Sequence, residues 1–223
     1  SSLVSLVGGG ANPRPGEVSL AHHGVLFLDE FPEFPRSVLE SLRQPLEAGS
    51  VTIARANDHV TFPSRFLLVA AQNPCPCGYL NDPVHPCRCA PGLLTRYRNK
   101  VSGPLLDRID LHIDVPRLPI EKLEGEGGAS SLTIRAWVCE ARERQRERFR
   151  ECAWKVNADM PSDYIRHSLV LTDGARTVLR QAVERYHLSG RVYFRVCKVA
   201  RTIADVAKSD TVDVPHIAEA LHY

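Results

Sequence analysis

The stretch GVLFLDE, residues 24–30, decides the fold: the apolar run Val25 to Leu28 ends in two acids, Asp29 and Glu30. A short apolar run of this kind reads as a buried parallel strand with both carboxylates at its carboxyl end. Nucleotide triphosphatases place an Asp there to hold Mg²⁺ on the phosphates. A following Glu can orient and deprotonate the attacking water. The same pattern also describes an ordinary strand followed by surface acids, so the neighbouring segments must decide.

Downstream, Phe34, Val38, Leu39, Leu42 and Leu46 recur at helical spacing, which predicts a helix over 34–47 closed by Gly49. Residues 51–62 alternate around Asn57-Asp58 and predict a β-hairpin. RFLLVAA, residues 65–71, reads as a second buried strand leading to Asn73. An amide there lies where α/β sheets bind ligands, beyond the carboxyl ends of the strands. It can help position a water near a γ-phosphate, although an Asn before Pro74 also suits a plain turn. Residues 93–101 read as a short basic helix, and 107–115 as a segment returning to the core.

Upstream, residues 1–24 are rich in Gly and Pro and read as loop with short ordered pieces. Pro116, Pro119 and the run GEGG make 116–130 the best boundary. Beyond it the chain reads as all-helical. A charged helix covers 132–153, Thr172 caps one running to about His187, an amphipathic one covers 191–208, and Asp213 opens the last. The expected class is therefore α/β: a partial core over 1–118, a linker over 119–130 and a helical domain over 131–223.

Composition excludes several classes. Apolar residues make up 43% and charged residues 24% of 223, with a net charge of +2, as in ordinary globular proteins. No apolar run reaches the roughly 20 residues needed to cross a bilayer, and the first residues lack a signal-peptide pattern. The only Met is Met160, so the chain is expected to be a piece of a longer protein.

Of seven cysteines, Cys75, Cys77, Cys87 and Cys89 form a C-x-C-x₉-C-x-C cluster. An odd count with one tight cluster suits a reducing cytosol better than a secreted disulfide framework. Four thiolates in two close pairs can close a tetrahedral Zn²⁺ site, with His85 able to replace one of them. Reduced loop cysteines are the alternative. Arg88, Arg96, Arg98, Lys100 and Arg108 face only Asp107 in sequence, a locally basic stretch that includes Tyr97 and is suited to a phosphate backbone. The Arg/Glu-rich stretch 140–151 reads as a solvated helix face.

Five blocks carry a resemblance: PGEVSLAHHGVLFLDEFPEF, LRQPLEAGSVTIARA, FLLVAAQNPCPCG, SGPLLDRIDLHI and RVCKVARTIADVA. In this order, across nearly the whole chain, they resemble the magnesium-chelatase-like AAA+ ATPases of the ComM/YifB type. The resemblance implies that Asp29 and Glu30 are the Walker B pair and that Asn73 is sensor 1. It makes Arg108 the arginine finger that reaches a neighbouring subunit's ATP, and Arg191 the sensor 2 arginine, a role Arg195 or Arg201 could share. The plain alternatives are a salt bridge from Arg108 to Asp107 or Asp110, and a helix-end surface charge for Arg191. Arg55 and His59 would lie on a hairpin resembling one that lines the pore of related helicases. The implied protein is a homohexameric, cytoplasmic, ATP- and Mg²⁺-dependent motor acting on DNA, with no membrane partner. A chelatase-type motor acting on a protein or inserting a metal is the other reading. Walker A, G-x-x-x-x-G-K-[ST], does not occur in these residues. The family places it upstream, so this chain alone is expected to be inactive.

Overall fold

The structure is a computed structural model that describes residues 3–10, 13–54, 59–120, 124–125 and 127–223, without the side chain of Ala54. The chain divides into two compact units, Ser1–Ile109 and Asp110–Tyr223. No helix is long and apolar enough to cross a membrane among the described residues.

The first unit runs α1 (Leu3–Val7), β1 (Gly8–Gly9), β2 (Arg14–Pro15), α2 (Glu17–Leu20) and β3 (Val25–Leu28). It continues through α3 (Arg36–Ser41), α4 (Arg43–Ala48), β4 (Ser50–Ala54), β5 (His59–Pro63), β6 (Leu67–Ala70), α5 (Pro91–Arg98) and α6 (Gly103–Leu106). Strands β3 and β6 pair in parallel, Val25 opposite Leu67 through Leu28 opposite Ala70. Leu26 and Leu28 point into a core with Leu6, Val18, Leu39 and Leu105. The strands are not buried on both faces as expected. Val25 and Phe27 are each 59% exposed and Leu67 is 61% exposed, because the described residues cover only one face of the pair.

The helix expected over 34–47 is split. A 3₁₀ turn at Phe31–Glu33 precedes α3, and the chain breaks at Leu42 before α4. Pro45 explains the break: it lacks an N–H, and its ring conflicts with the carbonyl four residues back, at Ser41. Gly49 ends α4 at φ +63°, where an added Cβ would lie 2.8 Å from Arg65 Cγ. The hairpin forms as expected, with Val51 opposite Phe62. Its tip, including Arg55, lies outside the described residues.

Residues 107–115 return to the core only in part: Ile109 packs against it. Leu111, Ile113 and Val115 are 45%, 67% and 86% exposed and belong to no strand. A lone extended segment gains little without a ladder partner.

The second unit holds α7 (Ser131–Arg148), α8 (Ser162–Ser168), α9 (Asp173–Tyr186), α10 (Gly190–Val206) and α11 (Val214–His222). Ser130, Thr172 and Ser189 each accept a backbone N–H three residues on, and Asp213 forms a capping box with His216. The core is built on Phe149, Met160, Leu179, Val196, Val212 and Ile217. Helix α8 was not legible in the sequence; its seven residues carry one buried side chain, Ile165.

Candidate functional site

The parallel pairing of β3 with β6 brings the two strand ends together. Ala71 N donates to Leu28 O, and Phe31 N donates to Ala71 O, both at 2.9 Å. Asp29, Glu30 and Asn73 therefore share the carboxyl end of the sheet, and all three are exposed. Glu30 sits in the left-handed region, φ 51° and ψ 43°, which costs a non-glycine residue roughly 1–2 kcal/mol. Its N–H donates to Asp29 Oδ1 at 2.8 Å, and Glu33 N donates to Glu30 O at 2.7 Å, so the turn is tied on both sides.

One participant was read only as part of the basic stretch. Tyr97 on α5 is buried and donates its hydroxyl to Asn73 O at 3.2 Å. Burial pushes this phenol up, with the negative charges of Glu33, Cys75 and Glu30 adding to the shift. Lys100 bonds both carboxylate oxygens of Glu33, at 2.9 and 3.0 Å. The signal was present: Leu94, Tyr97 and Val101 form an i, i+3, i+7 stripe, the mark of an inward-facing side.

The four clustered cysteines converge. Cys75 Sγ stands 3.3 Å from Cys77 Sγ and 3.7 Å from Cys87 Sγ, and Cys77 to Cys87 is 3.6 Å. One atom from each of the four lies within 4.8 Å of every other. Four sulfurs at about 2.3 Å around one tetrahedral ion stand roughly 3.8 Å apart, so this donor set fits Zn²⁺. A disulfide would need about 2.05 Å, and all four cysteines are free. Backbone hydrogen bonds from Tyr79 and Arg88 pull the Cys77 thiol down to about 6. Burial pushes Cys89 up to about 12. His85 is not part of this set. It stands 3.6 Å from Asp82 and stacks near Tyr79 at 5.0 Å, while the four thiols fill a tetrahedral shell without it.

The arginines divide. Arg108 pairs with Glu47 and donates to Pro104 O, not to Asp107 or Asp110 as the plain alternative held. Arg191 is exposed in the first turn of α10, in the second unit. Arg201 is 2% exposed and binds Asp205, Ser209 O and Asp210 O, which commits it to the core of its unit. Arg144 and Arg148 also reach the buried Asp205, so 140–151 is not simply a solvated face. Arg88, Arg96 and Arg98 are exposed, as is His59.

The fold and the site together define the class, a partial AAA+ type α/β core followed by an all-helical unit. Residues 1–123 match the family described as magnesium chelatase, subunit ChlI, and residues 128–223 match its C-terminal region. The chain belongs to this magnesium-chelatase-like family. It is 48% identical over 225 residues to Competence protein ComM of Haemophilus influenzae, covering 100% of this chain and 43% of that protein. It is 44% identical over 225 residues to the uncharacterized protein YifB of Escherichia coli, again covering 100% and 43%. A Mycobacterium tuberculosis protein, uncharacterized, is 41% identical over 226 residues, covering 100% and 44%. The chain thus spans less than half the length of these curated relatives.

Proposed function

We propose that this chain contributes the hydrolytic end and the helical lid of an ATP-driven motor that acts on DNA as a ring of identical subunits. The observation that carries the proposal is the meeting of Asp29, Glu30 and Asn73 at the carboxyl end of β3 and β6, where α/β sheets take their ligands. The two exposed carboxylates are hard oxygen donors that suit Mg²⁺. When bound, Mg²⁺ and ATP supply the activated phosphoryl group. Asp29 would hold the metal, Glu30 would orient and deprotonate a water, and Asn73 would fix that water's position. Arg108 would act on a neighbouring subunit's nucleotide and Arg191 on its own. The phosphate cradle is not among these residues, since no G-x-x-x-x-G-K-[ST] motif occurs in them. We further propose that Cys75, Cys77, Cys87 and Cys89 hold one structural Zn²⁺ and that the protein is cytoplasmic.

DNA is favoured as the substrate by two features. Arg88, Arg96 and Arg98 are exposed on one stretch, and a relative at 48% identity is named for competence. The family's description favours a second reading, a chelatase-type motor acting on a protein or a metal-insertion reaction. The deciding measurement is ATP turnover by the full-length protein, with and without single-stranded and branched DNA, and with Glu30→Gln as control. Turnover that Glu30→Gln abolishes and DNA stimulates supports the motor. Turnover indifferent to every DNA form moves the assignment to the second reading.

A further inference from the structure

The segment carrying Asn73 is gripped from two sides. Two residues on, Cys75 is fully buried within the thiol cluster. From the other side, the Tyr97 hydroxyl donates to the Asn73 carbonyl oxygen. Between β6 and Cys75 the backbone has no regular structure, and Asn73 itself is exposed. These two attachments therefore set where its amide points. The same frame reaches Glu30. Lys100 lies over the Tyr97 ring at 5.4 Å while bonding Glu33, whose N–H donates to Glu30 O.

We infer that Tyr97 is a positioning residue for Asn73 and Glu30, and that the four-cysteine loop forms the other half of the same brace. This rests on the ATPase reading proposed above. Tyr97 touches no reacting atom; its hydroxyl fixes a carbonyl on the segment whose amide does the work. Small displacements of a positioning group slow a reaction without weakening ground-state binding. Losing one hydrogen bond of ordinary net strength corresponds to about a 2- to 10-fold fall in kcat. A Zn²⁺ held by the four thiols would then have a task beyond stability: it would anchor Cys75 and, through two residues, Asn73.

The test uses the full-length protein as Tyr97→Phe, which keeps the ring and removes the hydroxyl. Turnover, KM for ATP, bound metal and amide hydrogen exchange over residues 71–78 are measured together. The expected result is a fall in kcat of about 2- to 10-fold, faster exchange in that segment, and unchanged KM and metal content. An unchanged kcat and exchange rate overturns the inference. A fall in kcat accompanied by a raised KM and lost metal also overturns it, since that is general loosening. Wild-type protein stripped of metal by a chelator gives an independent reading should the variant not fold. It should show faster exchange at 71–74 and a loss confined to kcat; intact kcat after stripping overturns the brace. Glu30→Gln separates the two levels. Full turnover in that variant removes Glu30 as the base, turnover absent from the wild type defeats the ATPase reading alone, and in either case the exchange measurement still decides whether Tyr97 and the metal hold the segment.

Discussion

Replacing Asp205 with Asn should cost the helical unit a large part of its stability. Asp205 is 1% exposed in the last turn of α10. Its carboxylate accepts from both terminal nitrogens of Arg148, from Arg201 Nη2 at 3.0 Å and from Asn157 Nδ2 at 2.8 Å. Asn157 in turn takes its backbone N–H to Gln145 Oε1 at 3.0 Å, so the carboxylate ties α7, the turn at Asn157–Asp159 and α10 together. The Asn side chain keeps the shape but leaves Arg148 and the buried Arg201 without their shared counter-charge. Breaking a buried pair by removing one partner costs about 3–5 kcal/mol. With an urea slope of about 1–3 kcal/mol per molar, the unfolding midpoint should fall by about 1 M or more.

Tryptophan fluorescence is the right probe, because both tryptophans, Trp137 and Trp154, lie in this unit. Trp154 packs 6.3 Å from Phe149 and 5.3 Å from Tyr164, next to the network. The pH dependence supplies a second check. Burial raises the Asp205 carboxyl, but hydrogen bonds from Arg148 and Asn157 and the Arg201 charge more than reverse this, leaving it lowered. A depressed carboxyl stabilises the fold above its unfolded value of about 3.9 and loses that contribution as pH falls through the folded value. The wild-type and Asp205→Asn midpoints should therefore differ at neutral pH and converge in acid. Equal midpoints at pH 7 would refute the view that the carboxylate holds the three elements together.

In the full-length protein, Glu30→Gln should retain ATP binding and lose turnover by about 10²-fold or more, as nucleotide binding and phosphate release would show. The 223-residue chain alone should release no phosphate above background. Linked dimers carrying Arg108→Ala and Glu30→Gln should be active in one arrangement and inactive in the other; equal activity either way would place Arg108 in its own subunit's site. Metal analysis of chelator-free preparations should find close to one Zn²⁺ per chain. After its removal at pH 7, Cys77 should alkylate well before Cys89, because the thiolate is the nucleophile and the two thiols are shifted to about 6 and about 12. Mass spectrometry of the modified peptides gives the order, and a faster Cys89 would contradict it.

Local patterns announced the parts of this fold that depend on local physics. Thr172 and Asp213 were legible as helix starts because their side-chain oxygens satisfy the free N–H groups of a first turn; Ser130 and Ser189, not read as caps, do the same. The parallel pair was legible from two short apolar runs, and its pairing in register brings Asp29 and Glu30 beside the segment carrying Asn73. The spacing of the cysteines allowed their convergence without requiring it. Tyr97 was read only as part of a basic stretch; its bond to Asn73 was not legible because the partner is a backbone carbonyl 24 residues away, and a carbonyl has no signature in the sequence. Asp205 escaped for the opposite reason. An acid inside an apolar helix looks like a solvated interruption until arginines from another helix are seen to meet it.

The one systematic misreading concerns cover. Val25, Phe27 and Leu67 have the composition of a strand buried on both faces, yet the described residues bury only one. Leu111, Ile113 and Val115 likewise alternate as a strand does and find no ladder. Both features sit in the α/β half or directly after it, and both lack a neighbour of the same kind, a strand or a covering helix. The helical unit shows no comparable deficit along α10, where six side chains are buried. Apolar patterning records the surroundings a segment was selected to have, whereas measured exposure records what these residues supply. The two disagree on one face of the β3–β6 pair, over Leu111 to Val115, and again at the start of α7, where Leu132, Ile134, Trp137 and Val138 are exposed.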